Sequence, residues 1–264
     1  MSHGQFLEAN GARLHYEADG QGSPLVLIHG WSLNLRMFDP QVPAFCREYR
    51  VIRMDRRGFG RSSDGEDTTW DAADLKTLVD HLDVARAHVL GMSQGGAVAL
   101  AFAAAFSDRV ESLILHGPPA PSGFGLRWSG PDRWPVAEYR ALAKEEGLGA
   151  FRQAWGQHPL LRIPDEKADA RARLDRMLAD YRGGLILNPL DPSGPTRIPA
   201  LDDLEKIQAP ALVLTGDDEI PYFRIVADAL AYRIPTARRS VVPGGGHLVN
   251  LVEPERYNQA VLDF

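Results

Sequence analysis

Six short apolar runs punctuate the chain, at residues 24–28, 49–54, 88–90, 110–115, 211–214 and 239–242. Their length and apolar density predict strands buried within a sheet. Ahead of them, two alternating stretches at residues 6–8 and 12–17 flank Asn10-Gly11 and predict a hairpin. Between the runs the spacing changes to three and four. Residues 70–82 place Leu75, Leu78, Val79 and Leu82 on one helical face. Residues 94–106 are alanine-rich with Val98, Leu100 and Phe102 interspersed, and helices are also predicted at 225–232 and 255–262. Strands alternating with helices of this length imply βαβ units, hence an α/β fold with a mostly parallel sheet. The opening hairpin supplies an antiparallel edge.

One region breaks the alternation. From Gly117 to about Pro210 no buried strand is visible, but helical segments are, at 135–146 and 167–181. Pro118-Pro119-Ala120-Pro121 marks one edge, and Pro192, Gly194, Pro195 and Pro199 mark the other. The division is therefore a core of residues 1–117 and 211–264, with a helical cap at 118–210 inserted over the sheet. Three of the five tryptophans, Trp128, Trp134 and Trp155, lie in that insertion.

Composition narrows the function classes. The chain has 264 residues, 44% hydrophobic and 24% charged, within ordinary globular usage. A net charge of −6, from 29 basic and 35 acidic side chains, argues against nucleic acid as a partner, because phosphate binding rests on Lys and Arg. Cys46 stands alone, so no intrachain disulfide forms, and its setting reads as a half-buried helix residue. The first residues lack a basic start and an apolar run, and no segment approaches ~20 consecutive apolar residues. A cytoplasmic location without membrane insertion is expected. Neither H-E-x-x-H, nor paired cysteines, nor G-x-G-x-x-G after the first strands is present, so no metal and no cofactor is expected.

The chemistry points to one motif. Gly91-Met92-Ser93-Gln94-Gly95-Gly96 follows a predicted strand and opens a predicted helix. A G-x-S-x-G in that context is a nucleophile elbow, with glycines where larger side chains would collide. The base should close the order Ser…acid…His, and of eight histidines only His247 does so, in the loop Pro243-Gly244-Gly245-Gly246-His247. His116 is its rival, since it too ends a strand, whereas His81 and His88 read as helix-surface and strand-entry residues. The acid belongs after the run at 211–214, where Asp217, Asp218 and Glu219 stand in a row, and the residues alone leave that choice open. Oxyanion donors are expected from the backbone of Gln94 and from the loop His29-Gly30-Trp31-Ser32, with Trp31 as its donor.

Taken together, Leu27-Ile28-His29-Gly30-Trp31, Asp55-Arg56-Arg57-Gly58-Phe59-Gly60-Arg61-Ser62, the serine motif, Gly216-Asp217-Asp218-Glu219 and Gly246-His247 resemble the α/β-hydrolase superfamily over essentially the whole chain. The chain looks most like its small esterase and enol-lactone hydrolase group, and is also similar to carbon–carbon bond hydrolases. The resemblance implies an eight-stranded sheet with a helical cap after the sixth strand. It also implies an acid at the third position after the glycine, which here is Glu219 rather than the usual aspartate, with Asp218 and then Asp217 behind it. Asp55 and Arg57 are expected to fix turns. Serine at position 93 sets the chain apart from relatives that carry aspartate there, the haloalkane dehalogenases and epoxide hydrolases. The function expected is hydrolysis of a small-molecule ester or lactone, in an apolar pocket lined by Phe124, Trp128, Trp134 and Trp155 with Trp31. The competing readings are diketone cleavage and a non-catalytic receptor on the same scaffold. Oligomeric state is not legible.

Overall fold

The computed structural model describes residues 4–63, 69–126, 128–130, 132–187, 199 and 201–264, so the edge markers Pro192, Gly194 and Pro195 lie outside the described residues. The hairpin forms as β1 (Gln5–Ala9) and β2 (Ala12–Asp19). The apolar runs form β3 (Ser23–Ile28), β4 (Tyr49–Met54), β5 (Ala87–Met92), β6 (Val110–His116), β7 (Ala211–Gly216) and β8 (Ala237–Val242). They make one sheet of eight strands in the order β1-β2-β4-β3-β5-β6-β7-β8. The pairs β1–β2 and β2–β4 are antiparallel, and every other pair is parallel.

Why the runs are apolar throughout becomes clear from where alternate residues go. Leu25 and Leu27 of β3 join one apolar core while Val26 and Ile28 join a second. On β7 the same division sends Leu212 and Leu214 one way, Ala211 and Val213 the other. A strand covered on both faces has no wet side, and so no alternation is left to read.

The helices are α1 (Val42–Phe45), α2 (Asp71–His81), α3 (Gln94–Ala105), α4 (Val136–Glu145), α5 (Leu148–Gly156), α6 (Ala168–Asp180), α7 (Gly184–Leu187), α8 (Pro221–Arg233), α9 (Val249–Val252) and α10 (Pro254–Leu262). Leu75 and Leu78 of α2, Leu100 and Phe102 of α3 and Leu230 of α8 fill the second core. Phe151 and Trp155 of α5, Leu174 of α6 and Tyr257 of α10 fill the first. Helix α5 escaped the sequence reading because it is 9 residues long and is capped by Gly147, with a second glycine at position 149. Cys46 caps the short α1 and is half-buried. No helix among the described residues is long and apolar enough to cross a membrane.

Helices α4 to α7 sit between β6 and β7. They are tied to the rest of the chain by polar contacts around their rim. Trp155 Nε1 donates to Ser32 Oγ at 2.7 Å, Lys167 pairs with Glu253 at 2.6 Å, and Arg173 pairs with Asp39 at 2.7 Å. Arg36 pairs with Asp180, and Arg182 donates to the Gly60 and Ser62 carbonyls at 2.5 and 2.7 Å.

Parallel pairing sends the C-terminal ends of β3 to β8 to one edge of the sheet. Strand order reverses beside β3, with β4 on one flank and β5 on the other. Crevices at such a reversal are where open α/β sheets bind ligands. Trp31, Asp55, Ser93, Glu219 and His247 each follow one of these strands.

Candidate active site

Ser93 joins β5 to α3 with φ 53° and ψ −123°, a left-handed conformation that a residue bearing a Cβ rarely adopts. The neighbours enforce it. A Cβ on Gly91 would run into the Gly95 carbonyl, and one on Gly95 would run into the Ile28 carbonyl. Only glycine at both positions lets strand and helix approach closely enough to make the turn. The Ser93 amide donates to the His116 carbonyl at 2.7 Å, which anchors the elbow to β6.

The three carboxylates after β7 have separate partners. Glu219, 2% exposed, places Oε2 2.7 Å from Nδ1 of His247, and its Oε1 accepts from the Ile220 amide at 2.9 Å. Asp217 Oδ1 accepts from the Gly244 and Gly245 amides at 2.9 and 3.1 Å, so it shapes the glycine loop that carries His247. Asp218 reaches outward to the exposed Arg162. A carboxylate on Nδ1 keeps the ring proton there, which leaves Nε2 as an acceptor. That Nε2 is buried and has no hydrogen-bond partner, while the ring packs 4.4 Å from Phe223. Ser93 and His247 line the same cavity without a hydrogen bond between them. Such bonds are commonly long in unliganded sites and tighten with substrate.

Gly117, directly after β6, leaves room for the Glu219–His247 pair. A Cβ there would lie 2.9 Å from His247 Cε1 and 3.1 Å from Glu219 Oε2, and the backbone stands at φ +50°. Gly117→Ala is therefore expected to lose roughly 1–2 kcal/mol of stability from the backbone alone. It should also displace the imidazole, so kcat should fall as well. Urea unfolding read beside turnover checks both parts.

The amides of Trp31 and Gln94 donate to no group among the described residues. Both residues border a cavity of about 940 Å³, together with Gly30, Ser93 and His247. The inserted region closes it with Trp155 of α5 and with Trp128 and Trp134 from the segment ahead of α4. Trp31 lies at the centre of this aromatic wall, 4.9 Å from the Trp134 ring and 5.0 Å from Trp155. Phe124, expected at the wall, is not there. It is half-buried against the second core, between Gly123 and Gly125 at φ +80° and +71°, and Leu126 reaches the cavity instead.

Asp55 and Arg57 hold turns, as expected. Asp55 accepts from the Leu35 and Arg61 amides at 2.8 and 2.9 Å and meets His15 Nδ1 at 2.8 Å, and Arg57 pairs with Asp74 at 2.9 Å. The residue that the sequence reading passed over is the one between them. Arg56 is fully buried and pairs with Asp71 at 2.6 Å. Its signal in the sequence was an arginine in the loop after a buried strand, with an aspartate available at the start of the next helix.

His116, the rival base, does not line this cavity. It is fully buried beside His247, ring centroids 6.2 Å apart, and neither ring nitrogen has a partner. Burial, helped by the neighbouring His247, holds its pKa well below 6.5. Burial and the Arg56 charge lower His29 likewise, to about 4. Each folded-state value lies below the unfolded one, so stability is lost as pH falls from about 6.5. Asp71 acts in the opposite sense. Burial raises it from 3.8 to about 6 against the pull of Arg56, so its contribution is lost as pH rises through that window. His29 and Asp71 move in opposite directions, to about 4 and about 6, and largely offset, while burial also lowers His88 and His158, so these two act with His116 to set the slope. Urea midpoints are expected to fall from pH 6.5 to pH 4.5, and His116→Asn should flatten that limb.

The alpha/beta hydrolase family pattern matches residues 25–260. A 2-hydroxy-6-oxononadienedioate/2-hydroxy-6-oxononatrienedioate hydrolase of Paraburkholderia phymatum is 31% identical over 270 residues, covering 96% of this chain and 90% of the relative. Among solved structures, an enol-lactonase of Burkholderia xenovorans superposes with a TM-score of 0.81 at 26% identity, covering 98% of each chain. A thermophilic esterase of Thermogutta terrifontis gives the same TM-score at 27% identity, covering 99% of this chain and 97% of that one.

Proposed function

Because the chain belongs to the alpha/beta hydrolase family, we propose that it hydrolyses a small-molecule ester or lactone through an acyl-enzyme on Ser93. The observation that carries this reading is the convergence at one cavity of a strained serine elbow and a buried His247–Glu219 pair whose Nε2 is unpartnered. In the proposed cycle His247 Nε2 takes the Ser93 hydroxyl proton as Oγ attacks the carbonyl carbon. The resulting oxyanion lies against the Trp31 and Gln94 amides, and the start of α3 adds its dipole. Collapse breaks the bond to the leaving oxygen, which receives the proton from His247. Water, deprotonated by the same nitrogen, then releases the acid and restores the serine. Glu219 holds the tautomer and stabilises the imidazolium throughout. The enol-lactonase and esterase likenesses support this class of substrate, and the mainly apolar cavity suits a small organic acyl group.

The relative from Paraburkholderia phymatum favours a second reading, in which the same residues cleave a carbon–carbon bond of a diketone. A fluorophosphonate probe is expected to label Ser93 stoichiometrically, and p-nitrophenyl esters to turn over, with diketones slower by kcat/KM. Faster diketone turnover would reverse the order of the two readings. Folded protein that stays unlabelled and turns over neither would point to a receptor.

A further inference from the structure

We propose that Arg56 is a positioning residue that sets the two oxyanion donors at a fixed spacing, acting on one through His29 and on the other through Gln94. The inference rests on the acyl-transfer reading and goes beyond it.

The first link follows from the planarity of the peptide. The Gly30 carbonyl and the Trp31 amide belong to one trans unit, in which C=O and N–H point in opposite directions. Whatever fixes the carbonyl therefore aims the donor. His29 Nδ1 lies 2.7 Å from that carbonyl, and His29 Nε2 accepts from the Arg56 amide at 3.0 Å. These two bonds are compatible only with the neutral ring carrying its proton on Nδ1. The lowered pKa of His29 agrees. The ring is fully buried and packs 5.2 Å from Phe59, so it has no room to turn away.

The second link runs through the guanidinium. Arg56 Nη1 donates to Gln94 Oε1 at 2.8 Å and approaches the His29 carbonyl at 3.5 Å. Nε and Nη2 hold Asp71 Oδ2 at 3.1 and 2.6 Å. Gln94 is the first residue of α3, and its amide is the other donor. One planar, rigid group thus spans both sides of the space where the oxyanion would form, and Asp71 fixes the orientation of its fork. A buried ion pair gains little net stability over apolar packing of the same volume. Fixed geometry is what it supplies here. The tether also keeps the Gln94 amide from swinging into the cavity, which it borders, and competing for the substrate carbonyl.

The test compares His29→Leu, His29→Asn, Arg56→Lys and Gln94→Met with the parent protein. It reads kcat and KM for p-nitrophenyl butyrate and the inhibition constant of phenylboronic acid, whose tetrahedral adduct places an oxygen where the oxyanion forms. His29→Leu loses both imidazole bonds and is expected to lower kcat on the order of 10²-fold with KM within about two-fold, since a misaimed donor costs nearly as much as a missing one. Boronate affinity should fall in parallel. His29→Asn keeps a donor near the Nδ1 position and should recover about ten-fold of the loss. Arg56→Lys and Gln94→Met, each breaking the fork on the Gln94 side, should each lower kcat about ten-fold. Gln94→Met removes a single bond at the cavity wall, so it remains readable if the core variants do not fold. Folded variants with kcat within three-fold of the parent, a loss confined to KM, or unchanged boronate affinity would each overturn the proposal. Turnover by Ser93→Ala would instead overturn the acyl-transfer reading, and with it this one. An inactive Ser93→Ala beside unimpaired positioning variants would reject the role of Arg56 alone.

Discussion

Ser93→Ala is expected to lower kcat for ester hydrolysis by about 10⁶-fold while the fold survives. The substitution removes the attacking oxygen and nothing that the fold depends on. Alanine keeps the Cβ, so the strain at φ 53° is unchanged, and the bond that anchors the elbow to β6 comes from the backbone amide rather than the hydroxyl. His247→Ala should match it, because without the imidazole no group takes the proton from the Ser93 hydroxyl or from the deacylating water. The double variant should be no worse than either single one, since groups that act as a unit do not contribute additively. Saturation kinetics beside near-ultraviolet circular dichroism makes the comparison. Residual turnover above about 1% in folded Ser93→Ala would place the nucleophile elsewhere.

Glu219→Gln is expected to lower kcat by about 10⁴-fold, the loss seen when a triad acid becomes an amide. The amide group would offer a donor to His247 Nδ1, push the ring proton to Nε2 and disable the base. Asp218→Asn should stay close to the parent, since among the described residues that side chain pairs with the exposed Arg162 and not with His247. Asp217→Asn should fall between the two by loosening the Gly244–Gly245 loop without altering the tautomer. Steady-state kcat at saturating ester ranks the three. A larger loss in Asp218→Asn than in Glu219→Gln would move the acid to the neighbouring position.

That ranking marks the point where reading residues alone gave out. The order of strands and helices was legible because a sheet covered on both faces requires apolar runs, and because the serine and histidine motifs each follow such a run. Three consecutive carboxylates were not separable. Which of them turns toward His247 depends on the path of the loop and on amides contributed by Gly244 and Gly245, some 27 residues away. The cavity wall was legible where bulk decided it, at Trp128, Trp134 and Trp155. It differs at Phe124, which stands between two left-handed glycines and packs against the second core. Arg56 escaped for a different reason. A fully buried arginine is rare unless it is paired, and the aspartate that pairs with it stands 15 residues further on, where sequence spacing alone does not join the two.

Four of the five tryptophans border the same cavity, and only Trp70 stands apart from it. The molecule therefore carries its own optical reporter. Filling that space with an organic ligand would exclude solvent from the exposed Trp134 and the half-buried Trp128 and change the contacts of the buried Trp31 and Trp155, so occupancy should appear as a shift and intensity change in intrinsic emission. In Ser93→Ala, where chemistry is stopped, that signal would give dissociation constants for candidate substrates directly, without a chromogenic leaving group or an attached dye.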